Sequence, residues 1–434
     1  MSRDNQTSRT DEPRRTVMFF CQNFLGMGHL VRTTEILRSF EARAKVKICL
    51  VFGGETVPGF DWPNSVDLIE LPALRRENGE LKVVVPEHDL EDVKRYRQRR
   101  LLEVLGQVRP DCLVIEGFPF SKRALHAELL PLVEHARAMR PAPMVLCSLR
   151  DIILAKRRIK EDERARKLKE SAICQTMNQY FDGLLFHSDP QVIRLEESFS
   201  RVNKLDVPIH YTGFVAQSLP DPAPARELLD ADAEPTILVS VGGGRLGRGL
   251  LECLIETAPR LASRLPHRLL IFTGPFVPSE TFEALSERAA KHANVVLRRY
   301  TPHLLTYMSR ADLSISLCGY NTSMNLLRTG VRSLVMPSDK DLEQPSRAMR
   351  MAQHDLLEII PPDDLDPERM MGRILRALER PPPRLRGNRF NIEGAQRTAE
   401  IVLEMLEQRA VDATVRELDQ RATTAVPVSV EPHS

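Results

Sequence analysis

The sequence predicts an α/β fold of two tandem halves, each a parallel sheet with helices on both faces, meeting at a cleft. Three observations carry this. Short apolar runs rich in Val, Ile, Leu and Phe recur with helical stretches between them, the pattern of strands buried on both sides. The runs fall into two series, separated by Ser218-Leu-Pro-Asp-Pro-Ala-Pro-Ala225, a Pro-rich stretch suited to a linker. The 434 residues are about three times the ~150 of a typical domain, enough for two sizeable cores.

Taken in order, residues 16–21 read as the first buried strand. A Gly-rich turn follows, then an amphipathic helix from His29 to Phe40. Runs at 46–52, 111–115, 144–147 and 183–186 continue the first half. The second series opens at 236–241 and continues through 268–272, 295–297, 313–317, 333–336 and 357–360. Pro381-Pro-Pro383 breaks it, and 392–406, apolar at helical spacing, reads as a closing helix. The expected organisation is a disordered segment at 1–15, a Rossmann-like domain at 16–217, a linker at 218–234 and a second Rossmann-like domain at 235–382. A closing helix within 383–410 and a disordered polar tail at 411–434 follow. Such sheets bind ligands beyond the carboxyl ends of their strands, so two facing halves enclose a cleft.

Composition narrows the function classes. Hydrophobic residues at 42% and charged residues at 28% describe a globular chain, neither fibrous nor disordered. Lys+Arg 61 against Asp+Glu 59 leaves +2, which speaks against a nucleic-acid binder. No run approaches the roughly 18 apolar residues of a membrane span. The polar start lacks the apolar core of a secretion signal, so the expected location is the cytoplasm. The seven cysteines are scattered, none in a CxxC, and read as small buried hydrophobes; no metal site and no cofactor is expected. Two basic stretches, Lys94-Arg95-Tyr96-Arg97-Gln98-Arg99-Arg100 and 156–169, are either solvated helix faces or a surface that meets an anionic acceptor or membrane.

Four loops carry candidate chemistry. The first strand runs into Gly26-Met27-Gly28-His29, where glycines allow close backbone approach and the helix start offers free N–H groups. His29 there could act as a general base. The second half opens with Ser240-Val241-Gly242-Gly243-Gly244, a loop through which a phosphate or sugar can approach the main chain. It lacks the Gly-Lys-Ser/Thr of a Walker loop. Leu317-Cys318-Gly319-Tyr320-Asn321-Thr322-Ser323 is a strand running into a helix start, with amides and hydroxyls that could hold a diphosphate without a lysine. After the next strand, Glu343 and Gln344 could hydrogen-bond sugar hydroxyls.

These loops resemble a known family. Phe24-Leu-Gly-Met-Gly-His-Leu30, Tyr211-Thr-Gly-Phe-Val215, Val239-Ser-Val-Gly-Gly-Gly244, Phe272-Thr-Gly-Pro275, Arg299-Tyr-Thr-Pro-His-Leu304 and Cys318-Gly-Tyr-Asn-Thr322 look like motifs of bacterial glycosyltransferases of the GT-B fold. So do Glu343-Gln344 with Arg347-Ala348, and the second half is similar to family 28, the peptidoglycan lipid-intermediate GlcNAc transferase type. The resemblance implies metal-independent transfer from a nucleotide sugar, a UDP-sugar by type, held by the second domain, to an acceptor held by the first. It further implies that the main chain at Thr301 contacts the base. Gly319, Tyr320, Asn321, Thr322 and Ser323 would contact the diphosphate, and Glu343 and Gln344 the donor sugar, with Gly243 and Gly244 on the same side. Asp339-Lys-Asp341 would then belong to a loop rather than a metal site. One position departs: where the family carries a glutamate for the ribose hydroxyls, this chain has Asn325, which cannot supply a charge-assisted pair.

Three residues near strand ends of the acceptor half, His29, Glu116 and Asp151, are candidates for the base that deprotonates an acceptor hydroxyl, with His29 favoured. A lipid-linked or anionic acceptor, and peripheral contact with an anionic inner membrane face, stay open. So do two other readings on the same fold: a nucleotide-sugar hydrolase or epimerase, and a non-catalytic nucleotide-sugar-binding protein or subunit.

Overall fold

A computed structural model describes residues 15–24, 26–43, 46–77, 79–151, 163–219, 234–338, 343–383 and 390–424. In the first half, strands β1 (Arg15–Cys21), β2 (Val46–Phe52), β3 (Val66–Glu70), β6 (Cys112–Glu116), β7 (Met144–Arg150), β8 (Gly183–His187) and β9 (Ile209–Tyr211) form one sheet. Its order is β3-β2-β1-β6-β7-β8-β9, parallel throughout. A hairpin of β4 (Leu74–Glu77) and β5 (Glu80–Val83) stands beside it. The helices are α1 (Gly28–Glu41), α2 (Leu90–Val108), α3 (His126–Ala138) and α4 (Glu163–Tyr180).

The second half repeats the plan with β10 (Thr236–Ser240), β11 (Arg268–Phe272), β12 (Val295–Arg298), β13 (Leu313–Leu317), β14 (Ser333–Met336) and β15 (Glu358–Ile359). The order β12-β11-β10-β13-β14-β15 is again parallel. Its helices are α5 (Arg248–Ala262), α6 (Ser279–Ala289), α7 (Leu304–Arg310), α8 (Tyr320–Thr329), α9 (Glu343–Gln353) and α10 (Pro367–Glu379), and α11 (Gly394–Thr424) closes the chain. The predicted two-domain α/β architecture is borne out.

The central strands show why the apolar runs were legible. Val17 to Cys21 in β1 and all of β10 are buried, because helices cover both faces and no solvent side remains to alternate with. β3, β9 and the β4–β5 hairpin were not anticipated, since each is short and half-exposed and offers no continuous apolar run.

Two expectations are corrected. Residues 411–424, assigned to a disordered tail, are helical, and the closing helix starts at Gly394. Its first turns bury Ala395, Ala399, Val402 and Leu406 against Val17 and Leu30 of the first half. Beyond them the sequence holds neither Gly nor Pro up to Thr424, so nothing stops propagation. The run Lys94–Arg100 is not one basic face either. Arg97 is fully buried, donating to Glu128 Oε2 at 2.9 Å and Oε1 at 2.7 Å and to Gln22 Oε1 at 2.9 Å. Helical spacing sets it beside buried Val93, Leu101 and Val104. The expected segments at 1–14, 220–233 and 425–434, and Lys156 to Lys160 of the second basic stretch, lie outside the described residues.

Candidate active site

In each sheet the strand order reverses direction at one place, between β1 and β6 and between β10 and β13. Crevices in such sheets open at these reversals, beyond the carboxyl ends of the strands. The loops leaving these strands face each other across a cleft of about 310 Å³. Gly243, Gly244, Thr301, Gly319, Tyr320, Asn321, Thr322, Asn325 and Gln344 line it from the second half, and Gly26 and Gly28 from the first.

On the first wall, β1 and β6 pair Phe20 with Ile115, which brings Glu116 at the end of β6 beneath the start of α1. His29, the second residue of α1, places Nδ1 2.5 Å from Glu116 Oε1. Arg32, one turn further along, donates to the same oxygen, and Lys122 Nζ stands 3.3 Å from the other. Burial alone would raise the Glu116 carboxyl, but His29, Lys122 and Arg32 outweigh it and hold it well below the usual carboxylate range. Burial pulls His29 down to about 3, although Glu116 pulls the other way. The imidazole is therefore neutral at pH 7. Its Nδ1–H faces the carboxylate, which leaves Nε2 unprotonated. Its side chain is 22% exposed, beside Gly28 and Val31, which line the cleft.

Glu116 is thus no base of its own: three cationic or hydrogen-bonding neighbours keep it ionised and its side chain is only 4% exposed. Asp151 is excluded too. It is fully buried and accepts two bonds from Arg347 of α9, Nε to Oδ2 at 2.8 Å and Nη2 to Oδ1 at 2.9 Å. Glu343, expected at the donor sugar, sits in the same cluster, 2.8 Å from Arg347 Nη2 and 2.7 Å from Arg150 Nη2, and does not line the cleft. The chain Arg150–Glu343–Arg347–Asp151 ties the two halves together. Ser323 is also withdrawn, fully buried, its hydroxyl donating to Gly319 O at 2.9 Å.

The second wall is built from backbone. α8 begins at Gly319 with no side-chain cap, so its first-turn N–H groups are unclaimed by side chains there. α1 begins after Met27 in the same way. The two starts face each other, with Asn321 Nδ2 donating to Gly28 O at 3.0 Å. Two positive helix ends at one cleft favour an anion. A Cβ added to Gly319 would meet nothing within 4 Å, so the space beside it is open. Gly244 is different: at φ +88° its absent Cβ would lie 2.5 Å from Thr273 O, so packing within the protein demands glycine. Three buried oxygens of the cleft wall, Thr34 Oγ1, Ser240 Oγ and Asn325 Oδ1, have no hydrogen-bond partner in the protein.

Sequence reasoning missed Arg32, Lys122, Arg150 and Gln217, and gave Arg347 no role beyond its place in the motif. Arg32 and Arg347 had a readable signal, standing three residues after His29 and four after Glu343 on the same helix faces. The others come from distant segments and had none. Among the described residues no group of three or more His, Cys, Asp or Glu could hold a metal ion, and Asp339 and Asp341 lie outside them. No helix among them is long and apolar enough to cross a membrane.

Comparison with known proteins agrees with this geometry. Residues 236–400 match the glycosyltransferase family 28 C-terminal domain. An uncharacterized glycosyltransferase of Methanopyrus kandleri is 27% identical over 208 residues, 46% of this chain and 56% of that protein. The UDP-N-acetylglucosamine–N-acetylmuramyl-(pentapeptide) pyrophosphoryl-undecaprenol N-acetylglucosamine transferase of an Exiguobacterium species is 32% identical over 124 residues, 29% of this chain and 33% of that one. The chain thus spans little more than half the length of these curated relatives, or less. Two solved structures share the fold at low identity. The calicheamicin glycosyltransferase has TM-score 0.54 and 14% identity over 96% of this chain and 100% of its own. Phytolacca americana UGT2, complexed with UDP-2fluoro-glucose and pterostilbene, has TM-score 0.55 and 13% identity over 89% and 94%. The chain therefore has the GT-B fold, and its residues 236–400 match the glycosyltransferase family 28 C-terminal domain.

Proposed function

We propose that this protein is a glycosyltransferase that moves a sugar from a nucleotide diphosphate sugar, of the uridine type, to an acceptor hydroxyl without a metal ion. The observation that carries it is the cleft between two uncapped helix starts, α1 and α8, joined by Asn321 Nδ2 donating to Gly28 O, with His29 held by Glu116 at the first of them. The diphosphate lies against Gly319 to Thr322. The apolar slot of Phe272, Pro302, Leu304 and Leu305 takes the flat base. His29 Nε2 accepts the acceptor's proton as its oxygen bonds to the anomeric carbon and the bond from that carbon to the phosphate oxygen breaks. Glu116 holds the ring in the right tautomer and stabilises the imidazolium that forms. The amides and dipole of α8 stabilise charge on the departing diphosphate, which is the work a metal would otherwise do.

The acceptor is a lipid-linked or anionic molecule in this reading, supported by the Exiguobacterium relative's undecaprenol-linked acceptor. The test is turnover of the purified protein with a panel of nucleotide sugars, following nucleoside diphosphate release with and without cell extract. Extract-dependent release that survives EDTA is the expected result. Release without acceptor identifies a hydrolase, and binding without release a non-catalytic binder. Loss of turnover to EDTA, restored by magnesium, overturns the metal-free mechanism.

A further inference from the structure

One carboxylate at the edge of the cleft is shared by two arginines and satisfies only one of them. Glu55 follows β2, at the carboxyl end of the strand beside β1. Its Oε2 accepts from Arg245 Nη2 at 2.5 Å, while its Oε1 stands 3.7 Å from Arg75 Nη1 of β4. Arg245 belongs to the glycine loop after β10 and lines the cleft, its guanidinium 5.0 Å from the centre of the Phe276 ring. The loops of the two halves meet here, since a Cβ added to Gly26 would lie 4.0 Å from Gly243 Cα. The other ion pair of Arg75, to Glu77, is also 3.7 Å, and Glu77 is shared with Lys82 at 3.4 Å. Contacts of 3.7 Å are too long for hydrogen bonds. Three cations thus share two carboxylates, and the Nε atoms of Arg75 and Arg245 are buried with no hydrogen-bond partner among the described residues.

Those unmet donors call for more oxygens than Glu55 has. A buried N–H left unpaired is costly, and here two stand on arginines from opposite halves. The two oxygens of a carboxylate lie in one plane, and at this site only Arg245 is reached at hydrogen-bond length. A phosphate group carries three acceptor oxygens on a tetrahedron and up to two charges, so it can take both guanidinium groups at once, each in the two-pronged manner of arginine. We infer that Arg75 and Arg245 form a site for a phosphate group of the acceptor, with Glu55 holding its place in the free protein. The inference deepens the transferase reading above and rests on it only for assigning the phosphate to the acceptor. The site adjoins the Gly26 loop, which leads into His29, so the phosphate anchors the acceptor on the wall that carries the base. Because the two arginines come from different halves, the bound phosphate also bridges the cleft, as Glu55 does without it.

The test is calorimetric titration of the full chain with inorganic phosphate in wild type, Glu55→Gln and Arg75→Gln. Glu55→Gln removes the internal competitor and should bind phosphate roughly tenfold more tightly, and Arg75→Gln should bind it roughly tenfold more weakly. Phosphate that also settles at the start of α8 is common to all three proteins and cancels in the comparison. Equal affinities in all three overturn the site. Arg75 has a side chain 27% exposed, so its variant keeps the test decisive if Glu55→Gln does not fold. A second arm separates acceptor from donor. UDP should bind Arg75→Gln within about twofold of wild type, while the amount of cell extract giving half-maximal release should rise roughly tenfold. Loss of UDP affinity in Arg75→Gln gives the arginines to the donor's diphosphate and overturns the acceptor assignment. If no sugar is transferred by any of the three, the proposed function falls, while the phosphate titration still decides the site.

Discussion

The two walls of the cleft solve opposite problems. The first wall gathers charge: His29, Arg32 and Lys122 surround the Glu116 carboxylate and outweigh its burial before any ligand arrives, although Glu116 Oε2 makes no hydrogen bond. The second wall gathers no such charge: it offers a glycine beside empty space, and its buried Ser240 Oγ and Asn325 Oδ1 have no partner in the protein. A base must keep one tautomer through many turnovers, so its surroundings are fixed. A binding surface must exchange protein–water contacts for protein–ligand ones, so its polar groups are left uncommitted. The charges that join the walls, Arg150 to Asp151 through Glu343 and Arg347, serve neither end directly and hold the geometry between them.

The largest effect should come from the charged wall. His29→Ala should lower kcat roughly a hundredfold to ten-thousandfold, the usual worth of a positioned general base, while leaving donor affinity within about twofold. A parallel loss of donor binding would erase the distinction between the walls. The joint comes next. Arg347→Met leaves Asp151 charged and unpaired in the interior, which should cost about 3–5 kcal/mol in a denaturant titration. A cost below about 1 kcal/mol, the level of a surface pair, would mean the cluster is solvated.

On the open wall, Gly319→Val introduces a side chain whose Cβ meets no protein atom within 4 Å. It should weaken donor binding on the order of tenfold or more, about 1.4 kcal/mol per decade, with an unchanged melting temperature. Intact binding would place the diphosphate elsewhere. The smallest effect is a flat one, in the pH profile. Protonation of Nε2 removes the base, so activity falls as pH drops through the value for His29. With that value at about 3 rather than the ordinary 6.5, kcat/KM should show no acid limb near 6.5. A limb there would show that the ring is better solvated than its burial implies.

How much of this was legible beforehand differs by element. The central strands and the glycine-marked turns at Gly26, Gly28 and Gly319 could be read from local pattern, because burial on both faces and tight backbone turns leave a mark within a few residues. The far reach of α11 was not read: Val411, Val415 and Leu418 do recur at helical spacing, but in a polar stretch and without burial. Among the site residues, His29 was readable from its place at a strand-to-helix turn. The roles of Glu116, Asp151 and Glu343 were not: all three are carboxylates near strand or helix ends, and nothing local says which cation each will meet.

Sequence alone therefore settled the architecture and the position of the cleft, because parallel sheets write their strands as apolar runs and open their crevices at the strands' carboxyl ends. Tertiary structure decided the chemistry. It joined His29 to Glu116 across the β1–β6 pairing, buried Asp151 against Arg347, and set Gln217 beside Asn325 from 108 residues away. Protonation, charge and hydrogen-bonding capacity depend on neighbours in space, and those neighbours come from segments that no sequence window contains together.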